Sequence, residues 1–156
     1  MAACDQIADK VGTKIEQSIP QATAEQDAFA DKTFQALQQK DFAWIRQHAD
    51  ASLIADLDKN PNALAYLAHQ IPNEAATMPP KMTKIEKGVQ TGYGSMLSVT
   101  YQYTYPLELV YFMVSFEGTA GSTTIKGMRI YKSMNPNPSP TEPAHASVPV
   151  TASTAI

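Results

Sequence analysis

Residues 92–132 read GYGSMLSVTYQYTYPLELVYFMVSFEGTAGSTTIKGMRIYK, and this stretch decides the fold of the chain. It contains six of the seven tyrosines and the longest apolar runs of the sequence. Aromatic and β-branched residues are typical of strands, and the intervening glycines are typical of turns. The sequence therefore predicts a sheet here, joined to an earlier strand over Met82–Gln90 by a turn at residues 91–94.

Two strands within this stretch have different patterns. Met96–Tyr105 alternates, with Leu97, Val99 and three tyrosines on one face and mostly polar residues on the other. Such alternation is typical of a strand with one buried and one solvated face. Leu107–Phe116 is apolar on both faces, which favours a central strand covered on both sides. A last strand is predicted over Thr123–Lys132.

The residues before the sheet follow a helical period. Apolar side chains recur along one side of Asp5–Ile19, Ala24–Lys40 and Phe42–Ala49, and further helical turns extend to Ile71. Several residues suit the N-cap position of a helix, where a side-chain oxygen accepts from a free backbone N–H. These are Thr23 with Gln26 three residues later, Asp41, Asp50, and Asn60 followed by Pro61.

The helix predicted over Ala24–Lys40 has a clear division between its two sides. Its apolar face carries Phe29, Phe34 and Leu37. Its polar side is expected to face solvent, and the residues assigned to it are Glu25, Asp27, Asp31, Lys32 and Gln38.

These elements predict an α+β fold, with N-terminal helices packed on a curved four-stranded antiparallel sheet. We expect three parts: residues 1–20 as an N-terminal segment with a spacer helix, residues 21–132 as the domain, and residues 133–156 as a tail. The tail is rich in Pro, Ser, Thr and Ala and has almost no charge. It is predicted to be disordered with polyproline character, because it offers little apolar surface to bury.

Composition limits the possible partners. The chain of 156 residues has a net charge of −3 and no block of Lys or Arg, which argues against nucleic acid as a partner. No apolar run reaches the roughly 18 residues that a membrane helix needs. The sequence also shows no ligand spacing among its three histidines, so neither a metal nor a cofactor is expected.

The single cysteine, Cys4, follows Met1-Ala2-Ala3. Small residues directly before a cysteine resemble the end of a bacterial lipobox, in which the cysteine thiol carries diacylglycerol. This resemblance implies a membrane-anchored lipoprotein of the bacterial envelope that faces the periplasm, with the inner or outer membrane left open. A cytoplasmic protein that happens to begin with this tetrapeptide is the alternative.

The segment FADKTFQALQQKDFAWIRQHAD, Phe29–Asp50, resembles the opening of NTF2-like domains, the cystatin-like α+β cone. The closing segment GTAGSTTIKGMRIYK is similar to the final hairpin of that superfamily. The resemblance covers residues 24–132 and implies helices packed into the concave face of the sheet, with a pocket at the mouth of the cone. Small bacterial lipoproteins belong to the same superfamily, which agrees with the interpretation of Cys4.

The resemblance also suggests which residues line such a pocket. These candidates are Phe34, Trp44, Tyr101, Tyr103, Tyr111 and Met113. Core packing is the competing interpretation for most of them, although buried tyrosine hydroxyls need hydrogen-bond partners. Some of these hydroxyls are therefore expected to reach a rim, water or a ligand.

NTF2-like enzymes include isomerases and dehydratases, in which a carboxylate base faces an oxyanion donor. The tyrosine face of Met96–Tyr105 carries no Asp or Glu, so no catalytic residue is assigned. The leading hypothesis is a non-catalytic envelope lipoprotein that binds a protein, for example as a periplasmic inhibitor or immunity protein, or a small apolar ligand. An isomerase-type or dehydratase-type enzyme and a structural subunit of an envelope complex are the alternatives.

Overall fold

A computed structural model describes residues 20–118 and 121–138. Cys4, the helix predicted over Asp5–Ile19 and most of the Pro-rich tail lie outside the described residues. The described residues form four helices followed by four strands. This order confirms the α+β class and the four-stranded antiparallel sheet, which is open rather than closed into a barrel.

The helices begin at residues that the sequence marks as caps. They are α1 Ala24–Gln38, α2 Phe42–His48, α3 Ala51–Lys59 and α4 Ala63–His69. Thr23 and Gln26 form the predicted capping box of α1, with each side chain accepting from the other's backbone N–H at 3.0–3.1 Å. Asp41 caps α2 and Asp50 caps α3, at 3.1 and 2.8 Å.

The predicted cap at Asn60 is wrong. Helix α4 begins at Ala63, and its N-cap position is Asn62, which makes no side-chain capping bond. Asn60 instead ends α3, where its backbone N–H and its side-chain amide both donate to the carbonyl oxygen of Asp56. An asparagine side chain can serve either end of a helix, so its type does not fix which end it marks.

The sheet is a meander in which each strand pairs with the next. Its strands are β1 Lys81–Gln90, β2 Gly94–Thr104, β3 Glu108–Glu117 and β4 Ile125–Met134. Gly92 and Gly94 have φ of 85° and 73°, which explains why glycine stands in the β1–β2 turn. Strand β4 ends two residues beyond the predicted Lys132, so Ser133 and Met134 belong to the sheet.

The helices pack on one face of the sheet, here called the helix face. On it β2 contributes Leu97, Val99, Tyr101 and Tyr103, paired with residues of β3. Those partners are Phe116, Val114, Phe112 and Val110, all fully buried. Leu37, Ile45, Leu53 and Leu57 cover this face from the helices.

Strand β3 lies between β2 and β4, as expected, but the prediction that both of its faces are covered is wrong. Tyr111 and Met113 lie on the opposite face of the sheet and are only half-buried. We call this side the open face, defined by Gln102, Tyr111, Met113, Arg129 and Tyr131. The apolar residues of β3 therefore belong to two different surfaces. The helices pack on the helix face, and the open face lies outside the helical layer.

Candidate functional site

Helix α1 is anchored to the sheet by Gln26, a fully buried side chain near its start. The Nε2 of Gln26 donates to the carbonyl oxygen of Ser122, in the β3–β4 loop, at 2.8 Å. Further along α1, Phe34 stacks on Tyr103 with ring centroids 3.7 Å apart and packs against Phe112 at 5.5 Å. These contacts fix which residues of α1 lie above β2.

Two tyrosine hydroxyls of β2 meet two carboxylates of α1. Tyr101 donates to Oδ1 of Asp27, and Tyr103 donates to Oδ1 of Asp31 at 3.1 Å. Gln35 also donates to the other oxygen of Asp31, at 2.8 Å. The assignment of both aspartates to the solvent side is therefore wrong, because each is half-buried beside a tyrosine.

The pairing follows from the repeat distances of a helix and a strand. Residues four apart on α1 are about 6 Å apart along the helix axis, and residues two apart on β2 are about 6.6 Å apart. The spacing of Asp27 and Asp31 therefore matches the spacing of Tyr101 and Tyr103 when the helix axis runs along the strand. This match joins an i, i+4 pair of carboxylates to an i, i+2 pair of hydroxyls.

The environment keeps these tyrosines protonated. Burial raises the pKa of Tyr101, and the hydrogen bond to Asp27 and the charge of that carboxylate raise it further. Burial also raises the pKa of Tyr103, followed by the charge of Asp31 and its hydrogen bond. In Tyr105 burial, together with the charges of Glu74 and Glu108, raises the pKa to about 12.

The tyrosine–aspartate pairs satisfy the hydroxyls of Tyr101 and Tyr103. No buried side-chain nitrogen or oxygen among the described residues lacks a hydrogen-bond partner. Each hydroxyl proton of Tyr101 and Tyr103 is already donated to a carboxylate, so it is not free for a second acceptor. The arrangement links α1 firmly to β2.

Trp44 lies in a separate aromatic cluster, on the side of α1 where α2 packs. Its ring centroid is 5.1 Å from that of Phe29 and 4.2 Å from that of His48. His48 Nδ1 is within 2.7 Å of the carbonyl oxygen of Trp44, which holds the imidazole against the helix. Lys32 Nζ lies 5.3 Å from the Trp44 ring and makes a cation–π contact with it.

The open face carries the other aromatic pair of the sheet. Tyr111 and Tyr131 are cross-strand partners, and their rings stack with centroids 4.8 Å apart and planes 9° from parallel. Tyr131 is 47% exposed. Met113 and Arg129 form the next cross-strand pair, and Gln102 lies opposite Tyr111 on β2. Two tyrosines, a methionine and an arginine thus share one accessible surface.

A cavity of about 440 Å³ lies beside this surface, at the end where β2 finishes and β3 begins. Its wall includes open-face positions of β2 and β3 and the residues that follow β4. The lining residues are Thr77, Met78, Gln102, Thr104, Leu109, Asn135, Pro136 and Asn137. Gln102 belongs to both the cavity and the open face, so the two form one continuous region.

A second polar cluster ties the β1–β2 turn to α3. Lys126 donates to the carbonyl oxygen of Tyr93 and lies 3.6 Å from Oδ2 of Asp50, and both charged side chains are at most 15% exposed. The Tyr93 hydroxyl donates to Asp56 at 2.7 Å, and this hydrogen bond is the main cause that raises the pKa of Tyr93. The cluster joins the β1–β2 turn to α3, and its polar groups bond to one another.

The six residues proposed to line a pocket are divided by the structure. Phe34, Tyr101 and Tyr103 lie together on the helix face, and Trp44 lies in the neighbouring aromatic cluster. Tyr111 and Met113 lie on the open face, separated from the others by the sheet itself. Cys4 is outside the described residues.

Sequence reasoning missed Asp27 and Asp31 as partners of the tyrosines, and Tyr131 as the partner of Tyr111. The spacing of the two aspartates matches the spacing of the two tyrosines, and this signal is present in the sequence. It becomes specific only once α1 is known to lie along β2.

Metal sites and membrane spans can be assessed over residues 20–118 and 121–138. Within these ranges, no group of three or more His, Cys, Asp or Glu side chains is placed to hold a metal ion. None of the helices in the same ranges combines the length and apolarity required to cross a membrane. Comparison with protein-family models, curated protein sequences and solved structures finds no match.

Proposed function

We propose that this chain is an envelope lipoprotein whose NTF2-like domain binds a protein partner through the open face of its sheet. The stacked Tyr111–Tyr131 pair carries the proposal, because it lies on a sheet face outside the helical layer. Tyr, Met and Arg are enriched in protein–protein interfaces, and all three residue types are present here. A periplasmic inhibitor or immunity protein is one concrete form of this function.

The shape of the two faces favours a protein over a small apolar ligand. The helix face is filled by side chains from the helices, and its tyrosine hydroxyls are already bonded to carboxylates. The open face is a broad surface with an adjoining cavity. A broad, partly aromatic surface suits a protein partner, whereas a small ligand is usually enclosed by its pocket.

Membrane attachment through Cys4 is the second part of the proposal, and it rests on the Ala-Ala-Cys sequence. The expected species is a diacylglycerol-modified cysteine at the mature N-terminus. Intact-mass measurement of the membrane fraction tests this directly. An unmodified thiol in a cytoplasmic fraction would support the cytoplasmic alternative and remove the anchor.

Affinity capture from the membrane fraction tests the partner surface. The wild-type chain is expected to retain one stoichiometric protein, and Tyr131→Ala and Arg129→Glu should each weaken its capture. Tyr66→Ala is the matched control, since Tyr66 is an exposed tyrosine on α4, away from the open face. Equal capture by all four proteins would contradict the proposed surface.

An isomerase-type or dehydratase-type enzyme is the second candidate, favoured by the carboxylates beside Tyr101 and Tyr103. Such chemistry needs a hydroxyl that can donate to a substrate, and here both hydroxyls donate to aspartates. Small-molecule screening by NMR separates the candidates. Shifts at Asp27 and Asp31 would favour the enzyme, whereas shifts confined to Tyr111 and Tyr131 would favour binding at the open face.

A structural subunit of an envelope complex is the third candidate, because the open face also suits a permanent contact. The properties of the captured protein distinguish an inhibitor from a structural subunit. A released partner that regains an activity when free of this chain indicates an inhibitor, and a partner that is stable only in the complex indicates a structural assembly.

A further inference from the structure

Strand β1 forms one edge of the sheet and is accessible along its length. Nine of its ten residues are exposed, and only Ile85 is half-buried. Among the described residues, β2 is the one strand that pairs with β1. Its outer edge therefore presents backbone N–H and C=O groups that another strand can use.

The charges of β1 are arranged so that the strand complements itself. In an antiparallel pair of two β1 strands centred on Ile85, Lys84 of each copy lies opposite Glu86 of the other. Directly opposite side chains have Cβ atoms about 5 Å apart, so both ion pairs can form. The pairing is symmetric, as a two-fold interface requires.

Neighbouring registers lose this match. The helices of both copies lie on the same side of the joined sheet when the symmetric pairing is centred on a residue. The nearest alternatives to the register centred on Ile85 are therefore those centred on Lys84 or on Glu86. Centring on Lys84 places that lysine opposite its own copy, and centring on Glu86 places that glutamate opposite its own copy. Like charges directly opposite are destabilising, so the charge pattern selects the register centred on Ile85.

The side-chain directions agree with this register. Lys84 and Glu86 pair with Thr100 and Ser98 on β2, which places both on the open side of the sheet, where they already form an ion pair at 2.9 Å. Both are more than half exposed and can exchange that contact for one across the interface. Ile85 lies on the helix side and meets its own copy there.

A bulge in β1 extends the match. The register with β2 shifts between Met82 and Lys84, so Thr83 is an extra residue and Met82 lies on the helix side. Lys87 also lies on the helix side. In the paired strands Met82 and Thr83 together lie opposite Lys87 of the partner copy, and the aliphatic stem of the lysine can pack on the methionine.

We propose that a second copy of this chain pairs with the β1 edge through its own β1, forming a continuous eight-stranded sheet. A second copy is the occupant because the pattern of Lys84, Ile85 and Glu86 is its own complement. Lysines on an edge strand oppose most pairings, and in this register Glu86 of the partner copy offsets Lys84. The joined sheet presents two open faces side by side, and the β1 edge that forms the contact contains none of the residues that define the open face.

Sedimentation equilibrium of the full chain over a range of concentrations tests the proposal. The wild type is expected to approach twice the monomer mass as concentration rises. K84E places acids opposite acids, and E86K places lysines opposite lysines. Each change should raise the dissociation constant roughly tenfold or more, because two attractive pairs become repulsive. K59E, a charge reversal on α3, is the control and should leave dimerisation unchanged.

Mixing the two variants gives the decisive result. K84E and E86K chains are complementary to each other, so an equal mixture is expected to form a mixed dimer, and K84E/E86K in one chain should restore self-association. A contact within one strand cannot be restored by mixing. A monomeric wild type, or a mixture no stronger than its components, would overturn the proposal, and unchanged far-UV circular dichroism confirms that each variant is folded.

Discussion

The helix face and the open face of the sheet use the same residue types for different purposes. On the helix face Tyr101 and Tyr103 are buried, and their hydroxyls donate to carboxylates of α1. On the open face Tyr111 stacks on Tyr131, which is 47% exposed. The difference lies in what covers each pair of tyrosines, since helices pack on the first pair and the second pair lies outside the helical layer.

This difference separates stability from recognition. A buried hydroxyl must be paired, so the helix face uses its polar groups in internal contacts and holds α1 in place. Exposed tyrosines keep both ring surface and hydroxyl available to another molecule. We therefore expect substitutions on the helix face to change the free energy of unfolding, and substitutions on the open face to change binding.

The largest expected contrast lies between neighbouring residues of β3. Phe112 is fully buried on the helix face, and Phe112→Ala should lower the free energy of unfolding by about 3–5 kcal/mol through lost contacts and a residual cavity. Met113→Ala, on the open face, should lower it by less than about 1 kcal/mol. Urea unfolding measures both. Similar losses for the two variants would show that the open face is also packed in solution.

Much of the secondary structure can be predicted from sequence because its signals are local. The alternation in Met96–Tyr105 reflects the two-residue repeat of a strand, and the caps at Thr23, Asp41 and Asp50 act within three residues. Asn60 was misassigned because two short helices meet there and either can use its side chain. Local signals thus predict the presence of a helix better than they predict which of two adjacent helices a capping residue belongs to.

The partners of the tyrosines were not accessible in the same way. Asp27 is 74 residues from Tyr101, and Asp31 is 72 residues from Tyr103. On a helix read alone, a charged residue belongs on the solvent side, and only the docking of α1 along β2 changes that. The prediction that both faces of β3 are covered fails for a related reason. An apolar strand sequence does not reveal whether the residues that pack on it come from the same chain.

A double-mutant cycle sharpens the comparison at the level of one hydrogen bond. Tyr103→Phe and Asp31→Ala should each destabilise the fold, and their effects should be non-additive by about 1.5–3 kcal/mol, because the bond joins a hydroxyl to a charged group. Tyr103→Phe combined with Asp27→Ala is the control, with a coupling close to zero. Equal coupling in both cycles would mean that the four groups act as one network rather than as two pairs.

The smallest expected effect is the pH dependence that the buried Tyr105 gives to the free energy of unfolding. Burial and nearby carboxylates raise the pKa of Tyr105 from its ordinary value of 10.0 to about 12 in the folded chain. The folded state therefore holds its proton more tightly than the unfolded state. The corresponding stability is fully present below about pH 10 and is lost as pH rises from there through about 12.

Removing this hydroxyl should flatten the high-pH dependence. Between about pH 8 and about pH 10.5, Tyr105→Phe should reduce the fall in the free energy of unfolding by less than about 1 kcal/mol. Urea unfolding at a series of pH values measures the fall, and Tyr66→Phe, at a tyrosine that is 69% exposed, should follow the wild type. If Tyr105→Phe also runs parallel to the wild type, the Tyr105 proton is held no more tightly in the folded core than in the unfolded chain, and the contrast between buried and exposed tyrosines would rest on packing alone.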